Sequence, residues 1–257
     1  MSDAALLGVQ VRSTNKAFWR NPASAFFTFA FPLMFLVIFT SLLGDGEEEV
    51  GAGVVIPTSN YYVAAMAAFS VISATYTNLA IGVSFIRDQG ILKRTRGTPL
   101  PAYVYLSGRV VHAVLIAILL VIITSAFGVA FYDAEIPSGV LLWEFLATVI
   151  VGAMAFSALG LATTAIIPNA EASPAIVNAI ILPLLFLSGI FIPLGPDAPE
   201  WMKVIGNAFP VRHFAEAMLG SFYGRPQFEW VDVLVVAVWG VAGLLAAVRF
   251  FSWEPRR

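Results

Sequence analysis

The sequence predicts an all-α membrane protein with six transmembrane helices, an N-terminal interfacial amphipathic helix and an extracellular re-entrant helical hairpin before the last span. Three observations carry that expectation. Of 257 residues, 59% are hydrophobic and only 12% charged, against about 25% charged in a soluble domain, too few to cover a water-facing surface. The apolar residues gather into six runs of membrane length, about 20 residues being needed to cross the hydrocarbon. None of the runs alternates with period two, which excludes a barrel. The mean hydropathy, +0.86, agrees.

The elements follow in order within a single transmembrane domain, 1–257. Residues 1–22 form the interfacial segment. Leu7, Val11, Thr14 and Phe18 fall on one line of a helix over 4–19, with Arg12, Lys16 and Arg20 opposite. Such a helix lies in the membrane surface with its apolar stripe in lipid. Polar and basic residues run through this segment, so it does not read as a cleavable signal peptide. The spans are 23–43, opened by Asn21-Pro22 where proline suits a first helical turn, then 59–86, 106–131, 140–167, 174–194 and 230–253. The fifth is interrupted by Pro183, Gly189 and Pro193, and the sixth is framed by Trp230 and Trp253. Between spans five and six, residues 195–229 hold two amphipathic pieces split at Pro210. Trp201, Val204, Ile205, Ala208 and Phe209 form the first stripe, and Phe214, Ala217, Met218, Ser221 and Phe222 the second. This segment is either a lid capping the bundle or a re-entrant hairpin shaping an outward exit.

Basic residues orient the chain. Arg12, Lys16 and Arg20, the block Arg87, Lys93, Arg94, Arg96 and Arg109, and Arg249, Arg256 and Arg257 share one side. Only Lys203, Arg212 and Arg225 fall on the other, and the loop after span one carries Asp45, Glu47, Glu48 and Glu49 instead. Positive-inside predicts a multi-pass protein of the cytoplasmic membrane with both termini cytoplasmic.

Several function classes lack their chemistry. No cysteine is present, which removes disulfides and thiolate metal sites. The two histidines, His112 and His213, are expected on opposite sides; His112 reads as an interfacial or packed residue and His213 as part of the lid. No HExxH, GxSxG or GxxxxGK[ST] motif occurs, so the chain is expected to hold no catalytic, metal or cofactor site. Glu144, Asp232 and Arg249 sit near span ends, where snorkelling suffices, and no carboxylate lies at the centre of a span. That argues against an ion-driven carrier and places the energy source in another subunit. Polar uncharged groups remain: Ser70, Ser73, Thr75, Thr77 and Asn78 in span two and Asn178 in span five. They serve either interhelical packing or a substrate path. Phe27, Phe31, Phe35 and Phe39, four residues apart on span one, form either a packing surface or a greasy wall for an amphiphilic substrate.

With these features in place the chain resembles the permease subunits of ABC-2-type exporters, close to the daunorubicin-resistance and multidrug-efflux group. The resemblance covers nearly the whole chain and rests on element order together with two local patterns. After span two stand Arg87-Asp88, Gly90, Ile91-Leu92 and Thr98-Pro99-Leu100, with Asp88 where the family has Glu and Lys93 where an acidic residue is common. Before span six stand Leu187-Ser188-Gly189, Pro193, Trp201 and Pro210. The resemblance implies a coupling helix within the loop 87–105. Ile91 and Leu92 are expected to face a groove of a separate ATPase, with Lys93, Arg94 and Arg96 at its rim. It also implies two ATPase copies carrying ATP and Mg, pairing with a second copy or a similar permease, contact with membrane lipids, and no nucleic-acid partner. Lipophilic drugs or lipids are the expected cargo, with glycolipid or polysaccharide export the alternative in the same family. A non-transporting scaffold or immunity protein on the same fold, and a membrane-embedded enzyme, are the readings from other classes.

Overall fold

The computed structural model describes residues 2–43, 46–50, 54–195, 198–222 and 230–254. Asp45, Arg225, Arg256 and Arg257, four of the charges that orient the chain, lie outside them. Helix α1, Asp3–Trp19, runs across one end of the bundle, and α2, Pro22–Leu43, is the first long apolar helix. After it, strand β1, Glu47–Val50, pairs antiparallel with β2, Val54–Pro57, with Glu48 opposite Ile56. This short strand pair is an addition to a structure that is otherwise helical among the described residues, as expected of an all-α membrane protein.

Span two is one rod in three pieces: α3, Thr58–Ile72, a π-helical turn at Ser73–Thr77, and α4, Asn78–Asp88. Nearly all of α3 is buried, as a helix apolar on every face must be when it forms the centre of a bundle. Its Ala64, Ala65, Ala67 and Ala68 let neighbours approach closely. Short helix α5, Ile91–Arg96, follows a turn at Gly90, whose φ of 70° suits glycine. Then come α6, Ala102–Tyr132, and α7, Val140–Thr163. Helix α8 is Ser173–Phe186, and α9, Glu200–Ala208, meets α10, Pro210–Gly220, at Pro210. Helix α11, Trp230–Phe250, packs along α7. There a Cβ on Gly240 would fall 2.7 Å from that of Ala155.

Five of these rods are long and apolar enough to cross a membrane: Pro22–Leu43, Thr58–Asp88, Ala102–Tyr132, Val140–Thr163 and Trp230–Phe250. The stretch read as span five, 174–194, holds a helix of only 14 residues, about 21 Å at 1.5 Å per residue. It stops because Leu187-Ser188-Gly189 turns the chain, with Gly189 at φ 85°. Tyr61 Oη donates to the Gly189 carbonyl at 2.5 Å and Tyr62 Oη to that of Phe191 at 3.4 Å. The top of α3 thus holds the turn. Span four also ends sooner than the expected 167, at Thr163.

The interfacial segment differs from a free surface helix. Phe18 of the expected stripe packs against the core, its ring 5.5 Å from that of His112, and a Cβ on Gly108 would lie 2.6 Å from that of Gln10. Part of the expected lipid-facing stripe therefore meets protein, although no residue of α1 is fully buried. We call the end carrying α1 and α5 the basic end and the opposite one the hairpin end.

Candidate functional site

The basic block divides into an inward and an outward part. Arg87 closes span two and is fully buried. Its guanidinium donates to the carbonyl of Thr164 at 2.8 Å and to that of Ile167 at 2.6 Å. These are carbonyls at and just beyond the C-terminal end of α7, where orphan acceptors and the helix dipole favour a cation. The next residue does the converse. Asp88 Oδ2 accepts the Ala170 N–H at 2.5 Å, in the turn that leads into α8. Two adjacent opposite charges therefore clamp the α7–α8 connection from both sides.

Beyond Gly90, Leu92 is fully buried within the chain itself. Its cluster contains Leu79, Val83, Tyr105 and Leu161, with Ile86, Leu100, Phe251 and Trp253 against it. The expectation that Leu92 faces a partner's groove is corrected here. With apolar side chains on both sides of the loop, burial within the chain removes Leu92 from water without a partner. The faces left outward belong to Lys93, Arg94 and Arg96, then Thr98 and Pro99, while Ile91 and Leu100 are half-buried. Lys93 makes one exposed ion pair, 3.8 Å from Glu254, of the kind that contributes little. Arg94 donates to the Gln89 carbonyl at 3.2 Å, and Thr98 Oγ1 to that of Thr95 at 2.7 Å.

A cleft of about 580 Å³ lies between α2, the π-turn and α8. It gathers Phe27, Phe31, Phe35, Phe39, Asn78 and Asn178, residues far apart in sequence, and no Asp, Glu, Lys or Arg lines it. The phenylalanine stripe is not uniform. Phe35 lies 5.5 Å from the Phe191 ring and Phe39 stacks on Tyr62 at 5.1 Å, so the hairpin-end half is an aromatic wall. Phe27 and Phe31 remain exposed. Asn78 donates to Thr28 Oγ1 at 3.3 Å. It stands ten residues before Asp88, about 15 Å along the helix. Asn78 begins α4 directly after the π-turn, a local widening that often marks functional positions. The turn has room because Gly160 lies beneath it: a Cβ there would fall 2.8 Å from the Tyr76 carbonyl oxygen.

At the hairpin end, α10 is a core element. Phe214, Val211 and Met218 are buried, Phe214 meets Phe156 at 5.3 Å, and Phe222 meets Phe145 at 5.6 Å. Helix α9 is outward, with Trp201 and Val204 exposed, and Phe209 stacks on Trp239 at 5.7 Å. Pro210 starts α10 and is buried. The hairpin is pinned by a contact that the spacing of residues does not reveal. His213 Nε2 donates to the Asn207 carbonyl at 2.9 Å, and its Nδ1 lies 2.5 Å from Asp232 Oδ1. One ring thereby joins α9, α10 and the start of α11. Only the polarity of Asp232 in an apolar segment hinted at a partner.

Among the described residues no cluster of His, Asp or Glu could hold a metal ion. The family model for the ABC-2 type transporter matches residues 6–223. "Putative transport permease YvfS" of Bacillus subtilis (strain 168) is 24% identical over 220 residues, covering 84% of this chain and 85% of its own length.

Proposed function

The chain belongs to the ABC-2 type transporter family, and from that premise we propose that it is the permease subunit of an ATP-driven exporter of lipophilic or amphiphilic substrates. It is a multi-pass membrane protein and the transport component, not the catalytic one. ATP and Mg belong to a separate ATPase, two copies of which dock at the basic end. In this reading the basic end is cytoplasmic, as the concentration of Lys and Arg there supports. A second copy, or a similar permease, completes the path by facing the cleft between α2 and α8, and α8 continued by the chain to 194 supplies a sixth crossing. The hairpin 195–229 shapes the outward exit.

One observation carries the coupling assignment. Exposed helix α5 is followed inward, within a few residues, by a clamp on the base of α7 and α8, and α8 lines the cleft. Displacement of α5 by an ATPase is transmitted to the cleft wall because Arg87 and Asp88 leave little slack. Lys93, Arg94 and Arg96 supply the docking charge, and Ile91, Thr98, Pro99 and Leu100 its flanks. Substrate choice follows from the lining: seven phenylalanines and two amides without a charge accept a greasy molecule with a polar uncharged group.

The test is co-purification with an ABC ATPase followed by transport. Charge reversal at Lys93, Arg94 and Arg96 should release the ATPase and abolish its stimulation, while the melting temperature stays near wild type. Retained assembly and unchanged ATP turnover sink the coupling assignment. Orientation is tested separately, in a chain that has no cysteine of its own. Glu48→Cys should react with an impermeant maleimide on intact cells and Thr95→Cys should not; the reverse pattern overturns the orientation.

A further inference from the structure

A second cavity, of about 400 Å³, lies at the basic end between α1, α4 and α6. It shares only Ser24 and Asn78 with the aromatic cleft. Its wall contains one permanent cation, Arg109, and no carboxylate. Arg109 is half-buried. Among the described residues its guanidinium makes a single hydrogen bond, from Nε to Tyr105 Oη at 3.3 Å, and it lies 5.5 Å from the centre of that ring. Its terminal nitrogens have no acceptor among the described residues. A half-buried guanidinium facing a cavity among apolar spans can hold an anion, and a phosphate fits its fork best. Thr14 and His112 add polar atoms to the same wall.

The rest of the cavity is apolar. From Arg109 it passes Phe18 and Ile81 to Ile116, which stands seven residues along α6, about 10 Å deeper. Inorganic phosphate would leave that floor empty, and a neutral lipid would leave the guanidinium unpaired. Gly82 lines the floor, and a Cβ there would meet nothing within 4 Å.

The geometry points to a resident site for an anionic phospholipid, its phosphate on Arg109 and one acyl chain along the floor between α1, α4 and α6. The lipid ties the interfacial helix to spans two and three, and the site does not depend on what the protein exports.

The full chain, purified and delipidated in mild detergent, is titrated with phosphatidylglycerol or phosphatidylcholine of identical chains, and retained lipid is counted by native mass spectrometry. Wild type should retain phosphatidylglycerol about tenfold better, the equivalent of one charge-assisted contact. Arg109→Gln should erase that preference, whereas Arg12→Gln, on the exposed face of α1, should preserve it. Gly82→Leu, which fills the floor and leaves Arg109 in place, should lower retention of both lipids, and its own result stands if Arg109→Gln misfolds. Millimolar inorganic phosphate should not displace the lipid. Equal retention of the two lipids by wild type, a preference that survives Arg109→Gln, no effect of Gly82→Leu, or displacement by free phosphate would each overturn the assignment.

Discussion

Replacing Arg87 separates two roles that its position in the basic block allows. As a partner contact it would affect coupling and leave stability alone. As a buried clamp it must do the opposite first. The side chain is fully buried and makes two charge-assisted hydrogen bonds, 2.8 and 2.6 Å, to carbonyls three residues apart. Such bonds contribute about 1.5–3 kcal/mol each. Arg87→Gln keeps polarity and much of the volume but can serve at most one carbonyl, so a loss of about 3–5 kcal/mol is expected. That is a large share of an ordinary folding free energy of about 5–15 kcal/mol. Arg87→Lys should recover less than half of it, because one ammonium cannot reach both oxygens in the guanidinium's fork geometry. The assay is thermal and denaturant unfolding of the detergent-solubilised protein followed by helical circular dichroism, with protease sensitivity at the α7–α8 turn as a local readout. A variant that unfolds with wild type and keeps that turn protected, yet fails to stimulate an ATPase, would refute the clamp and return Arg87 to the docking surface.

Two other perturbations probe the elements around the cleft and exit. Gly160→Ala places a methyl 2.8 Å from the Tyr76 carbonyl oxygen and 3.1 Å from its Cα. Backbone cannot yield as a side-chain tip does, so a cost of about 1–3 kcal/mol is expected from overpacking; thermal unfolding reads it, and a neutral or stabilising result would mean that the π-turn needs no glycine beneath it. Asp232→Asn preserves shape but removes the charge 2.5 Å from His213 Nδ1, at an expected cost of about 1–2 kcal/mol. It should speed amide hydrogen exchange in α9 and α10 before the rest of the bundle; unchanged exchange there would show that the histidine does not pin the hairpin.

Much of the fold was legible because a membrane leaves few choices. Backbone polar groups must be satisfied within each crossing segment, so long uncharged runs such as 110–132 had to be helices. Pro210 had to divide the hairpin, since its ring and missing N–H end any helix running into it. The strand pair Glu47–Val50 and Val54–Pro57 was not visible, because acidic side chains disguise a segment held by backbone pairing. The end of α8 at Phe186 was not visible, because apolar composition continues through Leu187, Ile190 and Phe191 after the helix has stopped. The stop depends on Gly189 and on hydroxyls from α3, remote in sequence. The six cleft candidates could each be named from residue type, but nothing in their spacing joined Phe31 to Asn178.

Composition and charge by themselves determined that this chain crosses a membrane and which end gathers its cations. These properties are sums over residues, or follow the local periods of a helix, and survive without knowledge of contacts. Which way a side chain points is decided by the packing of distant segments. Arg87 and Arg94 are equivalent as letters, yet one is sealed on the end of α7 and the other faces outward. Leu92, read as a contact for a partner, is enclosed by the chain's own Val83, Tyr105 and Leu161. The basic block is therefore a surface fused to an internal clamp, and only tertiary structure draws the line between them, because burial belongs to a residue's neighbours and not to its type.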